Sequence, residues 1–140
     1  MSYVNPDDDV LRALFDRIKT IAVIGLSPQP ARPSYRVAQA MQHYGYRIIP
    51  VRPLVDAVLG EKAYASLADI PFRVDLVDVF RAAEYLPAIV EQCLALHLPS
   101  IWIQEGIVAE EAAQRAQAGG GMTVVMDRCI LKEYVRLKTE

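Results

Sequence analysis

Cysteine, histidine and tryptophan are nearly missing from this chain: two, two and one among 140 residues. Cys93 and Cys129 form no CxxC pair, so neither a zinc cluster nor a secreted disulfide framework is expected. His43 and His97 have no partner at metal-ligand spacing and read as a surface and a helix-end histidine. No apolar run approaches the ~18 residues of a membrane span, and the opening MSYVNPDDDV lacks the apolar stretch of a signal peptide. A cytoplasmic location is the expectation. The formal net charge of −2 supplies no field for nucleic acid or an anionic membrane, so neither is expected as a partner. Any anion site must be a local gathering of basic groups.

What is present describes one globular domain over residues 1–140, with 53% hydrophobic and 23% charged residues. Asn5-Pro6-Asp7-Asp8-Asp9 resembles a helix start, with Asn5 as N-cap and Pro6 at the first helical position. Val10, Leu11, Leu14, Phe15 and Ile18 then recur on one helical face. Ile21 to Gly25 reads as a buried strand. A proline-rich basic loop follows, then a helix from a Ser34 N-cap to about Tyr44, with Gly45 as its C-cap. Arg47 to Val51 is a second strand, whose Pro50 is expected where pairing stops. Residues 53–70 are irregular, with a brief helical turn at 66–69. A third strand covers 74–80 and a helix runs from Pro87 to His97. A fourth strand covers 100–104, an alanine-rich helix 109–118 and a fifth strand 123–126. A last helix spans 131–137. Strands alternating with helices predict a doubly wound α/β fold: a five-stranded parallel sheet, helices on both faces, in the simplest order 3-2-1-4-5.

In such a sheet ligands sit outside the carboxyl ends of the strands. The loop leaving the first strand, GLSPQPARPSYR, has one glycine where the dinucleotide fingerprint GxGxxG has three, and no GK[ST]. Yet Gly25 permits a tight turn, Ser27 and Ser34 bring hydroxyls, Arg32 and Arg36 bring charge, and a helix N-terminus follows. Together these suit a pyrophosphate. NAD sites place a carboxylate at the end of the second strand; here Arg52 stands there, which suits a phosphorylated ribose, that of NADP or coenzyme A. Val51, Pro53, Val79 and Phe80 offer apolar surface for an adenine. No nucleophile–base pair stands out along this edge. Asp75 and Asp78 are three positions apart in a strand and so face opposite sides, which argues against a carboxylate dyad. Trp102, in a central strand, reads as core.

The strings GLSPQPARPSYRV, GYRIIPVRP, YASLADIP, VDLVDVFR, IWIQEGI and VVMDRC, in this order from Thr20 to Leu137, resemble the stand-alone CoA-binding domain proteins. These are similar in turn to the CoA-binding domain of the succinyl-CoA synthetase α-subunit. The resemblance implies a Rossmann-like fold with coenzyme A along the strand C-terminal edge. It implies Gly25, Ser27, Arg32, Pro33, Ser34 and Tyr35 on the pyrophosphate side. Pro50, Val51, Arg52 and Pro53 would border the adenosine, and Val79, Phe80 and Arg81 the opposite wall, with Gln104 and Gly106 at the exit of the fourth strand. Two positions depart from the family pattern. Leu26 replaces an alanine and is expected to crowd the loop. Glu105 replaces an apolar residue and would repel a polyanion unless it is paired or turned to solvent. Cys129, on the same edge, is a candidate for a mixed disulfide with coenzyme A. The expected function is binding of coenzyme A or an acyl-CoA, without catalysis. An NADP-dependent oxidoreductase or sensor, and a partner-binding module without ligand, are the alternatives.

Overall fold

The computed structural model describes residues 2–139. Helix α1 (Asp8–Arg17) leads into strand β1 (Thr20–Ile24), helix α2 (Pro33–His43) and strand β2 (Arg47–Val51). A small hairpin of β3 (Ala57–Val58) and β4 (Glu61–Lys62) follows, then β5 (Leu76–Val79) and α3 (Leu86–Ala95). The chain closes with β6 (Ser100–Ile103), α4 (Glu110–Gly120), β7 (Thr123–Met126) and α5 (Ile130–Lys138). Five of the strands form one parallel sheet. The fold is the expected Rossmann-like α/β sheet. Side chains of α3 and α4 pack on one face, those of α1, α2 and α5 on the other.

The strand order corrects the expected 3-2-1-4-5. It is β2-β1-β5-β6-β7, so the third long strand lies beside the first, on the side away from the second. Two sequence features require this. Pro50 has no N–H to give a neighbour, and proline is tolerated only on a sheet edge. Its carbonyl points outward and accepts from Tyr64 N–H, and Arg52 N–H donates back to Tyr64 O, so β2 is the edge and a short segment covers it. Leu76, Val77, Asp78 and Val79 are all buried, as a strand enclosed by neighbours and by helices on both faces must be. The chain therefore turns one way from β1 to β2 and the other way from β5 to β7. The crevice where the direction changes lies between β1 and β5.

Helix starts differ from expectation in detail. Asp7, not Asn5, caps α1: its carboxylate accepts from Val10 N–H. Asn5 instead bonds the edge strand β7, donating to Met126 O and accepting from Met126 N–H. Tyr3 adds a hydroxyl bond to Val124 O. Helix α2 begins at Pro33, and Ser34 does not cap it. Its C-terminal end follows the expectation: Gly45, at φ +105°, allows Gly45 N–H to reach Gln42 O and Tyr46 N–H to reach Met41 O.

Candidate coenzyme-binding cleft

The site begins where β1 and β5 end side by side. Gly25 follows β1 at φ +84°, and a Cβ there would lie 2.5 Å from the Phe80 carbonyl oxygen. Only glycine fits between the two strand ends. Phe80 N–H in turn bonds Ile24 O. From this point a groove runs along the carboxyl edge of the sheet. One part, about 410 Å³, is lined by Gly25, Ser27, Gln29, Arg32, Ser34 and Arg52, with Pro28, Pro33 and Phe80. Beside it lies a lobe bounded by Val51, Arg52, Pro53 and Arg81. On the other side of Phe80 and Arg81 lies a pocket of about 320 Å³, lined by Pro33, Val37, Ala82, Gln104, Glu105, Ile107 and Cys129. Phe80 borders all three.

The loop over the first part is held by its own serines. Ser27 N–H donates to Ser34 Oγ at 3.0 Å, and Gln29 N–H to Ser27 Oγ at 3.1 Å. Both serines are buried. Their oxygens thus act as acceptors that shape the loop, and each hydroxyl hydrogen is left to donate. Arg32 N–H bonds Gln29 O and Arg36 N–H bonds Arg32 O. Between them Pro33 has no N–H, and the Ser34 and Tyr35 N–H groups belong to the first turn, where a helix provides no acceptor. A helix N-terminus with open amides is thus set against the groove.

The electrostatics are one-sided. Among the described residues, Arg47, Arg73, Arg115, Arg128 and Arg136 each pair with a carboxylate, whereas no carboxylate partner stands against Arg32, Arg52 or Arg81. Arg32 reaches only the Gln29 side-chain oxygen at 3.4 Å. Arg81 lies over the Tyr85 ring, 3.9 Å from its centroid. Arg36 turns back to Ala31 O. Glu105, which lines the pocket beside Arg81, is held by Lys132 at 2.9 Å.

Eleven of the expected residues meet in the groove: Gly25, Ser27, Arg32, Pro33, Ser34, Val51, Arg52, Pro53, Phe80, Arg81 and Gln104. Four do not line it. Tyr35 packs half-buried against the α1–α2–α5 core, and Val79 is wholly in the opposite core. Pro50 lies within edge strand β2. Gly106 makes the turn after β6, its N–H bonded to Asp127 Oδ1 at 2.7 Å. Val37, Ala82 and Ile107 also line the pocket and are not among the expected site residues; helical periodicity can mark Val37 as an inward-facing position but not as one that borders a groove. Leu26 does not crowd the loop. It is fully buried in the core beneath. Trp102 is core as expected, its ring N–H bonded to Arg128 O.

The CoA binding domain family matches residues 19–135, and the chain belongs to that family. It is 46% identical over 126 residues to the uncharacterized protein YneT of Bacillus subtilis (strain 168), covering 90% of this chain and 93% of YneT. A solved Thermus thermophilus structure superposes with a TM-score of 0.88 at 39% identity, over 94% of this chain and 99% of that one. The ADP-forming acetate–CoA ligase II of Archaeoglobus fulgidus is 31% identical over 117 residues, which cover 82% of this chain but only 17% of the ligase.

Proposed function

We propose that the protein binds coenzyme A, or an acyl-CoA, in this groove and performs no chemistry on it by itself. The observation that carries the proposal is the trio Arg32, Arg52 and Arg81, free of carboxylates around a helix N-terminus at the switch point of a parallel sheet. The pyrophosphate would lie on the loop from Gly25 to Arg36, receiving the Ser34 and Tyr35 N–H groups and the serine hydroxyls. Arg52 would hold the 3′-phosphate, with Val51, Pro53 and Phe80 against the adenosine. Membership of a CoA-binding family supports this, as does the kinship with ligases that act on acetate and CoA. The NADP alternative rests on Arg52, which suits either phosphorylated ribose. The alternative of a module without ligand would draw on Leu26 and Glu105, the two departures from the family pattern, but Leu26 is core and Glu105 is ion-paired.

The test is Arg52→Ala in calorimetry with CoA and dephospho-CoA. Loss of a charge-assisted bond of about 1.5–3 kcal/mol weakens CoA by about 10- to 100-fold, and dephospho-CoA much less. Equal losses for both ligands would remove Arg52 from the phosphate.

A further inference from the structure

Beneath the distal pocket lies a group that binding of the phosphates does not use. Asp78, in the middle of the sheet, is 2% exposed, and its Oδ1 accepts from Gln104 Nε2 at 2.5 Å. Gln104 is 3% exposed and lines that pocket. Asp78 shares its sheet face with Leu76, between Val23 on β1 and Trp102 on β6. The helices over this face bring Leu11, Leu14, Phe15, Ala38, Met41 and Ile130. The ionisable side chains along the pocket are Arg81, Cys129 and Glu105, the last paired with Lys132. An ionised carboxylate in such surroundings requires compensation, and the Gln104 amide is its hydrogen-bond donor.

An amide bonded through one arm presents the other. With Asp78 ionised, Gln104 donates through Nε2 and turns Oε1, an acceptor, toward the pocket. With Asp78 protonated, the acid can donate to Oε1 and the amide presents its N–H groups instead. A thiol or amide N–H at the end of the ligand suits the first arrangement, a thioester carbonyl the second. Taking the groove to hold CoA as proposed above, the phosphates occupy the arginine end. The extended arm then leads past Phe80 into the pocket lined by Val37, Ala82 and Ile107. We propose that Asp78 is a positioning residue that sets the polarity of the Gln104 amide, so that the pocket chooses between the free thiol and the acyl thioester according to the protonation of Asp78. Burial drives the Asp78 acid up to about 7, opposed by the Gln104 bond, so both arrangements are reachable near neutral pH.

Calorimetry with CoA, acetyl-CoA and S-methyl-CoA at pH 6 and pH 7.5 tests this. The ratio of acetyl-CoA to CoA affinity should rise about fivefold at the lower pH, the size of one exchanged hydrogen bond. S-methyl-CoA, with neither thiol hydrogen nor thioester carbonyl, controls for titration of the phosphates. Asp78→Asn should make the ratio independent of pH. Should that variant fold poorly, binding of acetyl-CoA and of S-methyl-CoA to the wild-type protein at pH 7, each in two buffers of different ionisation heat, reports the same linkage as a greater proton uptake with acetyl-CoA. A ratio that does not change with pH, an equal change in Asp78→Asn, or equal proton exchange with the two ligands overturns the inference while leaving CoA binding intact. No binding of any of the three ligands overturns both.

Discussion

At the scale of single residues, the cleft depends on a few positions with no room for exchange. Gly25→Ala places a methyl 2.5 Å from the Phe80 carbonyl and forces φ +84° on a residue with a side chain. A loss of about 1–3 kcal/mol in stability is expected, read by thermal or urea unfolding, together with loss of CoA binding; an unchanged midpoint would contradict the close approach of the two strand ends. Asp78 has the opposite character, since its burial costs stability. Its acid is raised to about 7 in the fold, by burial against the Gln104 bond, against an ordinary value near 4. The folded state therefore holds more protons than the unfolded chain between about pH 4 and pH 7, and this site's contribution to stability falls as pH rises through that window. Asp78→Asn should flatten that fall, gaining stability relative to wild type at pH 8 more than at pH 5; parallel pH profiles would contradict a buried acid. The two cysteines also divide. Cys93 is wholly buried, and burial pushes its thiol up to about 12, whereas Cys129 borders the groove. With CoA and diamide, any mixed disulfide should appear by mass spectrometry on Cys129, and an adduct on Cys93 would contradict this division.

At the scale of elements, helices were legible because their apolar residues recur with the helical period, although the buried face is shifted from the one the spacing announces: α1 buries Leu11, Leu14 and Phe15 but leaves Val10 exposed, and α2 buries Ser34, Ala38 and Met41 while Tyr44 is exposed. The order of the strands was not legible in the same way, since a parallel strand buried on both faces carries no mark of its neighbour. The mark was Pro50, a proline that only an edge strand can hold, and it rules out the inner place that 3-2-1-4-5 gives the second strand. Asn5 misled for a related reason. Its side chain suits a helix cap as well as it suits the open backbone of β7, and the nearby Asp7 freed it for the edge. That edge cover makes a prediction. Asn5→Ala leaves Met126 N–H and O without their partner and should cost about 1 kcal/mol, while Asn5→Ala with Tyr3→Phe should also raise association through the bared edge, measured by light scattering. A double variant as stable and as monodisperse as wild type would contradict the role of the N-terminal segment.

At the scale of the molecule, the candidate site was legible where chemistry and topology coincide. Arg52 at the end of β2 and the GLSPQPARPS loop marked the groove in the sequence, and the fold brings them together around Gly25. The apolar pocket beyond Phe80 was less legible, because Val37, Ala82 and Ile107 come from three separate loops and helices that only the folded sheet unites. The chain spans a small part of the ligases it resembles, and a binding role without catalysis predicts no acetyl-CoA from acetate, ATP and CoA with the purified protein. The most direct measurement is calorimetry of the wild-type protein with CoA, dephospho-CoA and NADP side by side. Binding of CoA, weakened by removal of the 3′-phosphate and stronger than that of NADP, is the predicted result; preference for NADP, or no heat from any of the three, would contradict it.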